Sequence, residues 1–131
     1  MFTLAHLKKF NKRIGLVDEY NKITYSDIVN EIKIIKKKIN LSKNNLAVLV
    51  SNNCFSYILI YLTCLIYKTK IIILNEVQFK YNLKKIIKKF EPDYIFTKID
   101  ISSFKTIKYK RKKTYNDYFV FNLKKQKNKK H

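Results

Sequence analysis

The side chains best suited to chemistry in this sequence are two thiols and two imidazoles. Cys54 and Cys64 lie in one apolar stretch, while His6 and His131 stand near opposite ends of the chain. A structural zinc site needs four ligands, usually in two close pairs, and neither cysteine has a neighbouring Cys or His. The first twenty residues contain no continuous apolar segment of a signal peptide. We therefore predict two buried thiols, no metal, no disulfide and a cytoplasmic location.

Hydroxyl and carboxylate groups do not form a catalytic pattern either. Thr24 and Asp27 have the spacing of a capping box at the start of a helix, and no His lies near Tyr25 to act as its base. Asp27 and Glu31 are four residues apart among lysines, which is typical of a solvated helix face. The sequence thus predicts no catalytic residue, no cofactor-binding residue and no metal ligand.

The strongly basic composition suggests a polyanionic partner, but it has a second explanation. The chain has 29 basic and 9 acidic residues, a net charge of +20, with one Gly and one Pro. Abundant Lys, Asn, Ile, Phe and Tyr match an AT-rich coding bias, which supplies lysine without an anionic partner. Weak, nonspecific polyanion binding is expected from the charge alone.

A nucleic-acid-binding protein is nevertheless one alternative. The basic segments Lys110–Lys113 and Lys124–Lys130 would contact phosphates, and Tyr109, Tyr115 and Tyr118 would stack on bases.

Length and hydrophobicity predict one folded domain, or one piece of a larger domain, that does not cross a membrane. The 131 residues are 47% hydrophobic and 15% aromatic, which is enough for an ordinary core. The longest uncharged run, Cys54–Tyr67, is shorter than the ~20 residues that span a bilayer, so it predicts a buried helix.

Strand-like and helix-like segments alternate along the chain. Apolar runs predict strands at Ile14–Val17, Ile23–Tyr25, Leu46–Val50, Ile71–Leu74 and Tyr94–Thr97. Helical spacing predicts three helices. The first is capped by Thr24 and has an inner face of Ile28, Ile32, Ile35 and Ile39, and the second covers Phe55–Tyr67. The third follows a loop at Asn75–Lys80, is capped by Asn82 and is closed by Pro92. This order predicts an α/β fold, a mostly parallel sheet with helices on both faces.

The composition of the sequence changes after Thr97, where basic residues become more frequent. We interpret residues 1–97 as the α/β portion and residues 98–131 as a basic extension. Short strands are predicted in the extension at Lys105–Lys110 and Tyr118–Leu123, before a solvated, lysine-rich tail.

Four segments in order resemble core motifs of the adenylate-forming enzymes, which include acyl-CoA synthetases, amino-acid adenylation domains and luciferases. Ile23–Ile28 resembles the Leu-Thr-Tyr-x-Glu-Leu motif, and Asn45–Asn53 looks like a valine-rich strand ending in Ser-Asn. Leu65–Asn75 is similar to Leu-Lys-Ala-Gly-x-x-x-x-Pro-Leu-Asp, and Phe90–Thr97 is similar to a segment with Pro and a final Thr. The chain departs from the family pattern at Lys68, where Gly is usual, and at Ile73, where Pro is frequent.

The resemblance implies an acid-activating ligase that uses ATP and Mg²⁺ to form an acyl-adenylate. In that family the phosphates are held by a Ser/Thr/Gly-rich loop downstream of these motifs, whereas the one Gly here is Gly15. We therefore expect the amino-terminal portion of such an enzyme, inactive alone, that binds no cofactor. Its expected partner is the missing carboxy-terminal part as a separate chain, which would associate through an exposed sheet edge. A stand-alone binding or scaffold half-domain is the other alternative.

Overall fold

The computed structural model describes residues 14–17, 22–101 and 109–123. Their elements, in chain order, are β1 (Ile14–Val17), β2 (Lys22–Thr24), α1 (Tyr25–Lys38), β3 (Leu46–Val50), α2 (Phe55–Ile66), β4 (Lys70–Leu74), α3 (Glu76–Phe90), β5 (Tyr94–Thr97), β6 (Tyr109–Tyr115) and β7 (Tyr118–Leu123). The chain divides into a first unit, residues 1–43 and 53–69, and a second unit, residues 44–52 and 70–131.

The first unit contains a two-stranded antiparallel ribbon, β1 with β2, followed by α1. The predicted capping box is confirmed at the start of α1. The Oγ1 atom of Thr24 accepts a hydrogen bond from the Asp27 N–H at 3.2 Å, and the Asp27 carboxylate accepts one from the Thr24 N–H at 3.3 Å. These bonds satisfy two backbone donors that the first turn of a helix leaves unpaired.

Helices α1 and α2 pack against each other within the first unit. The predicted inner face of α1 is confirmed, because Ile28, Ile32 and Ile35, with Ile39 just after the helix, are all buried. On α2 the buried residues include polar Thr63, whose hydroxyl donates to the Leu59 carbonyl at 2.7 Å. That bond satisfies the hydroxyl and lets a polar side chain lie in an apolar interface.

Helix α2 ends in a Schellman motif centred on a lysine. The Thr69 N–H bonds to the Cys64 carbonyl at 2.9 Å and the Lys68 N–H to the Leu65 carbonyl at 3.3 Å. Lys68 has φ 58°, in the left-handed region. Glycine is favoured at this position because a Cβ atom is strained there. Glycine would therefore be the favourable residue at position 68, although the sequence has lysine there.

Replacing Lys68 with glycine should stabilise the protein by about 0.5–1 kcal/mol, since relief of left-handed strain outweighs the added flexibility of the unfolded chain. Urea unfolding followed by circular dichroism measures the change. Lys68→Ala is the control, because it removes the same charge but keeps the Cβ atom. Equal stabilisation by both variants would mean that charge, and not backbone strain, limits stability here.

The second unit contains a mixed five-stranded sheet in the order β4-β3-β5-β7-β6. β3 pairs in parallel with β4 and with β5, whereas β7 is antiparallel to both β5 and β6. The predicted α/β class with a mostly parallel sheet core is confirmed. β5 and β7 pair across the predicted boundary at residue 97, so the strands of the basic extension complete the sheet of the α/β portion.

The core of the second unit lies between α3 and one face of this sheet. Helix α3 contributes Phe79, Leu83 and Ile86. The strands and the segment after β5 contribute Val48, Val50, Ile95, Ile101, Phe121 and Leu123. Half-buried Ile72, Leu74 and Phe119 pack around this cluster. Because Phe121 and Leu123 belong to β7, the antiparallel strands are part of the same core.

The predicted start of α3 is wrong by two turns. The segment expected as a loop, Asn75–Lys80, is mostly helical, because Asn75 and Gln78 form a capping box with bonds of 2.8 and 3.1 Å. Asn82 lies inside the helix and donates to the Gln78 carbonyl at 3.0 Å. An Asn followed three residues later by Gln is a helix-start signal, so the sequence contained the correct answer.

Two left-handed residues end elements of the second unit. Glu91, directly before Pro92, has φ 47° and terminates α3. Asn116, with φ 51°, lies in the two-residue turn between β6 and β7. Asn tolerates this region better than most residues, which suits it to a tight hairpin. The predicted Lys105–Lys110 strand falls mainly outside the described residues, and the described β6 extends over 109–115.

Candidate functional site at the carboxyl edge of the sheet

Three parallel strands, β4, β3 and β5, end at the same edge of the sheet. In open α/β sheets this carboxyl edge is where ligands bind. The polar residues that follow these strands are Ser51 and Asn52 after β3, Asn75 and Glu76 after β4, and Lys98 and Asp100 after β5. This edge is therefore the first place in the second unit to look for a site.

The residues after β3 and β4 are bonded to each other. The Ser51 N–H donates to the Leu74 carbonyl at 2.7 Å, which extends the strand pairing by one residue. The amide of Asn52 donates to the Glu76 carboxylate at 3.5 Å, and the Asn75 side chain caps α3. These polar groups thus hold the two strand ends and the helix start together.

The turn between β6 and β7 also reaches this edge. The Tyr118 hydroxyl donates to the Val50 carbonyl at 2.8 Å, and the Tyr118 side chain is buried. Thr97, also buried, accepts a hydrogen bond from the Ile99 N–H at 3.0 Å. A buried carbonyl at a strand end needs such a partner, so Tyr118 has a structural role.

Two ion pairs lie beside this turn. Lys98 and Asp117 approach to 3.7 Å, and Lys112 and Asp100 to 2.9 Å. The Lys112 ammonium also lies 4.8 Å from the centre of the Phe119 ring. These side chains are partly solvated, so each pair contributes little to stability. They join the residues after β5 to the β6–β7 hairpin.

A complex of Mg²⁺ with a nucleotide requires a cluster of ligands for the metal and a loop whose backbone N–H groups bind the phosphates. Among residues 14–17, 22–101 and 109–123, no cluster of three His, Cys, Asp or Glu could hold a metal ion. A phosphate loop presents several backbone N–H groups from a glycine-rich turn, and the chain's one glycine, Gly15, lies in β1.

The two cysteines differ in their surroundings. Cys64 is fully buried in α2, and burial raises the pKa of its thiol to about 12. It stays protonated at neutral pH and is not a nucleophile. Cys54 precedes α2 and is half-buried, so the prediction that both thiols are buried is wrong for Cys54. Neither is in a disulfide. His6 and His131 lie outside the described residues.

Two of the three tyrosines proposed to stack on nucleic-acid bases, Tyr115 and Tyr118, are buried and not available for stacking. Tyr115 and Tyr118 are only 2% and 1% exposed, because they flank the hairpin turn and face inward. Tyr109 is half-buried and contacts Phe121 edge-on, with ring centres 5.2 Å apart. Period-two alternation along β6 and β7 explains this burial, and the predicted stacking role is wrong for Tyr115 and Tyr118. The Lys124–Lys130 tail lies outside the described residues.

The uncharged run Cys54–Tyr67 contains helix α2 of 12 residues, close to the predicted bounds. None of the helices in the described part of the chain is long and apolar enough to cross a membrane.

Sequence reasoning missed the long-range contacts that organise the site. The bond from Tyr118 to Val50 joins residues 68 positions apart. Neither the residue types nor their spacing in the sequence predicts such a contact. The Asn75–Gln78 capping box, in contrast, was visible as a short motif.

Comparison with known proteins gives a fold but no sequence family. No family model matches the chain, and no curated protein matches it. These results overturn our assignment, made from four short motifs, of the chain to the adenylate-forming enzymes. Short apolar segments recur in many α/β proteins with the same order of strands and helices, which explains why the motifs misled.

Five chains of solved structures resemble this chain in three dimensions. Among them is the luciferase-like enzyme from the nonluminescent Zophobas morio mealworm, with a TM-score of 0.57 and 15% sequence identity. The likeness covers 70% of this chain and 23% of the luciferase-like enzyme, so the chain spans about a quarter of that protein's length. At this identity the likeness concerns the fold alone, and a shared α/β fold is the relation that the comparisons establish.

Proposed function

We propose that this chain is a framework part of an enzyme built like the luciferase-like neighbour and carries none of the enzyme's catalytic groups. The observation that supports the proposal is the fold likeness, with a TM-score of 0.57 over 70% of this chain but 23% of the neighbour. A chain that matches about a quarter of an enzyme's fold has the size of a structural part. In this proposal the complete enzyme activates an acid with ATP and Mg²⁺ in the cytoplasm.

The chemistry of the carboxyl edge supports the passive role. Asn52, Glu76 and Tyr118 are engaged with other groups of the second unit. Cys64 is buried, and its raised pKa keeps it in the unreactive thiol form. In this proposal the loop that holds the phosphates comes from another polypeptide segment, because this chain has a single glycine.

ATP–pyrophosphate exchange tests both halves of the proposal. The affinity-tagged chain is purified once under native conditions, with whatever remains bound, and once from denaturant to remove all companions. With a panel of organic acids, we expect exchange in the first preparation and none in the second. A parallel thermal unfolding experiment with the second preparation should show no shift in Tm on addition of Mg-ATP.

Two results would contradict the proposal in different ways. Exchange by the refolded chain alone, or a clear Mg-ATP shift in Tm, would show that this chain does hold a nucleotide site. A native preparation that contains a stoichiometric companion but catalyses no exchange with any acid would reject the role in an acid-activating enzyme.

A further inference from the structure

The two edge strands of the second unit's sheet differ in chemical character. β6, at one edge, carries four consecutive basic residues, Lys110–Lys113. β4, at the other edge, has one charged residue, Lys70, followed by the apolar run Ile71–Leu74. Charged edge strands resist pairing with further strands, whereas apolar ones favour it. β4 is therefore the edge at which the sheet can be extended.

The side chains of β4 have the composition of an interior strand. A continuous apolar run is typical of a strand covered on both faces. Ile72 and Leu74 pack on the core beneath α3, so Ile71 and Ile73 lie on the opposite face of the strand. Ile73 is nevertheless 45% exposed, and Ile71 is half-buried. The strand is thus more apolar than its present surroundings require.

The backbone of β4 has one free side within the described sheet. The Lys70 N–H bonds to the Asn45 carbonyl at 3.2 Å, and the Leu74 carbonyl accepts from the Ser51 N–H at 2.7 Å. Because backbone groups alternate along a parallel strand, those of Ile71 and Ile73 point away from β3. In the described chain β4 pairs with β3 alone. The N–H and carbonyl groups of Ile71 and Ile73, two of each, therefore point to the side of β4 that faces away from β3.

We propose that β4 receives a sixth strand from a different polypeptide, apolar opposite Ile71 and Ile73 and acidic at the end beside Lys70. The charge of the chain, +20, disfavours a second copy as the occupant and favours an acidic one. Lys70, exposed at the start of β4, faces one end of the added strand. The inference rests on the proposed function, in which the acidic strand belongs to the part of the enzyme that supplies the phosphate loop.

Hydrogen–deuterium exchange with a defined probe tests the proposal without any companion. The probe is a synthetic octapeptide of alternating valine and threonine between two terminal glutamates. At a peptide concentration about ten times its Kd, exchange of the Ile71 and Ile73 amides should slow about tenfold. The same peptide with terminal lysines is the charge control and should protect these amides less.

Matched variants test the outward hydrogen bonds. Ile73→Pro removes one outward N–H but leaves the pairing with β3 intact, and should weaken peptide binding about two- to tenfold. Ile73→Val keeps that N–H and should bind the peptide like the original chain. A probe with an N-methylated central valine should lose affinity to a similar extent, and it requires no change in the protein.

Several results would overturn the proposal. Protection in β6 (Tyr109–Tyr115), no protection by the acidic peptide, or equal protection by the lysine peptide would each reject it. Edge amides that exchange slowly in the chain alone, and are released on deletion of residues 1–13, would assign the edge to the chain itself. A dimer in sedimentation that Ile73→Pro dissociates would assign it to a second copy. Because the peptide needs no companion, these results are independent of the pyrophosphate-exchange assay.

Discussion

Phe121→Ala should destabilise the protein by about 3–5 kcal/mol, the largest effect that we expect from a single substitution. Phe121 in β7 is fully buried, and it belongs to the cluster beneath α3 together with Phe79 and Val48. Its ring contacts Tyr109 of β6 edge-on at 5.2 Å between ring centres. Alanine leaves a cavity where the parallel strands, the antiparallel strands and the helix meet.

The control for this prediction is Phe90→Ala. Phe90 ends α3 and is 42% exposed, so the same chemical change should cost less than about 1 kcal/mol. Since a domain of this size is stable by about 5–15 kcal/mol, Phe121→Ala will leave little margin. Phe121→Leu keeps most of the volume and should fall between the two in urea unfolding. Similar losses for Phe121→Ala and Phe90→Ala would mean that β7 is not part of the core.

Asp93→Ala should destabilise the protein by about 1.5–3 kcal/mol, because it removes a charged acceptor from a backbone N–H. The Asp93 carboxylate accepts from the Leu46 N–H at 2.8 Å, across 47 residues of sequence. Its own N–H donates to the Leu46 carbonyl at 2.7 Å, and its carbonyl accepts from the Leu123 N–H at 3.0 Å. One residue thus joins the start of β3, the start of β5 and the end of β7.

Asp93→Asn separates the geometry of this junction from its charge. The amide oxygen can still accept from the Leu46 N–H, so we expect less than half of the loss seen with alanine. Urea unfolding gives both values, and exchange of the Leu46 amide reports on the bond itself. If asparagine is as damaging as alanine while the Leu46 amide stays protected, negative charge rather than the hydrogen bond would be the cause.

The sequence predicted elements well where one local rule dominates. Continuous apolar runs located β3 and β5 with the bounds that the structure has, and Thr24 with Asp27 located the start of α1. The start of α3 was misplaced because Asn82 also resembles a cap, although Asn75 and Gln78 make the bonds. Pairing of β7 with β5 depends on residues distant in sequence, and local patterns carry no information on such contacts.

The candidate site was less predictable than the fold for a related reason. Tyr118 resembled a stacking residue as long as only its neighbours in sequence were considered. Its hydroxyl instead meets a carbonyl at the end of β3, and its ring is buried. Residue type indicates what a side chain can do, but burial and distant partners decide what remains available to a ligand.

The strand order β3-β5-β7 also bears on how the protein folds as it is synthesised. The β6–β7 hairpin closes through a two-residue turn, which takes microseconds once both strands exist. Pairing of β3 with β5 joins Ala47 to Tyr94 and closes a far longer loop, so it is intrinsically slower. At roughly 5–20 residues per second, β3 and β4 leave the ribosome seconds before Phe121. During that interval the apolar strands β3 and β4 are exposed without β7, and we expect chaperones to bind most strongly to these two strands.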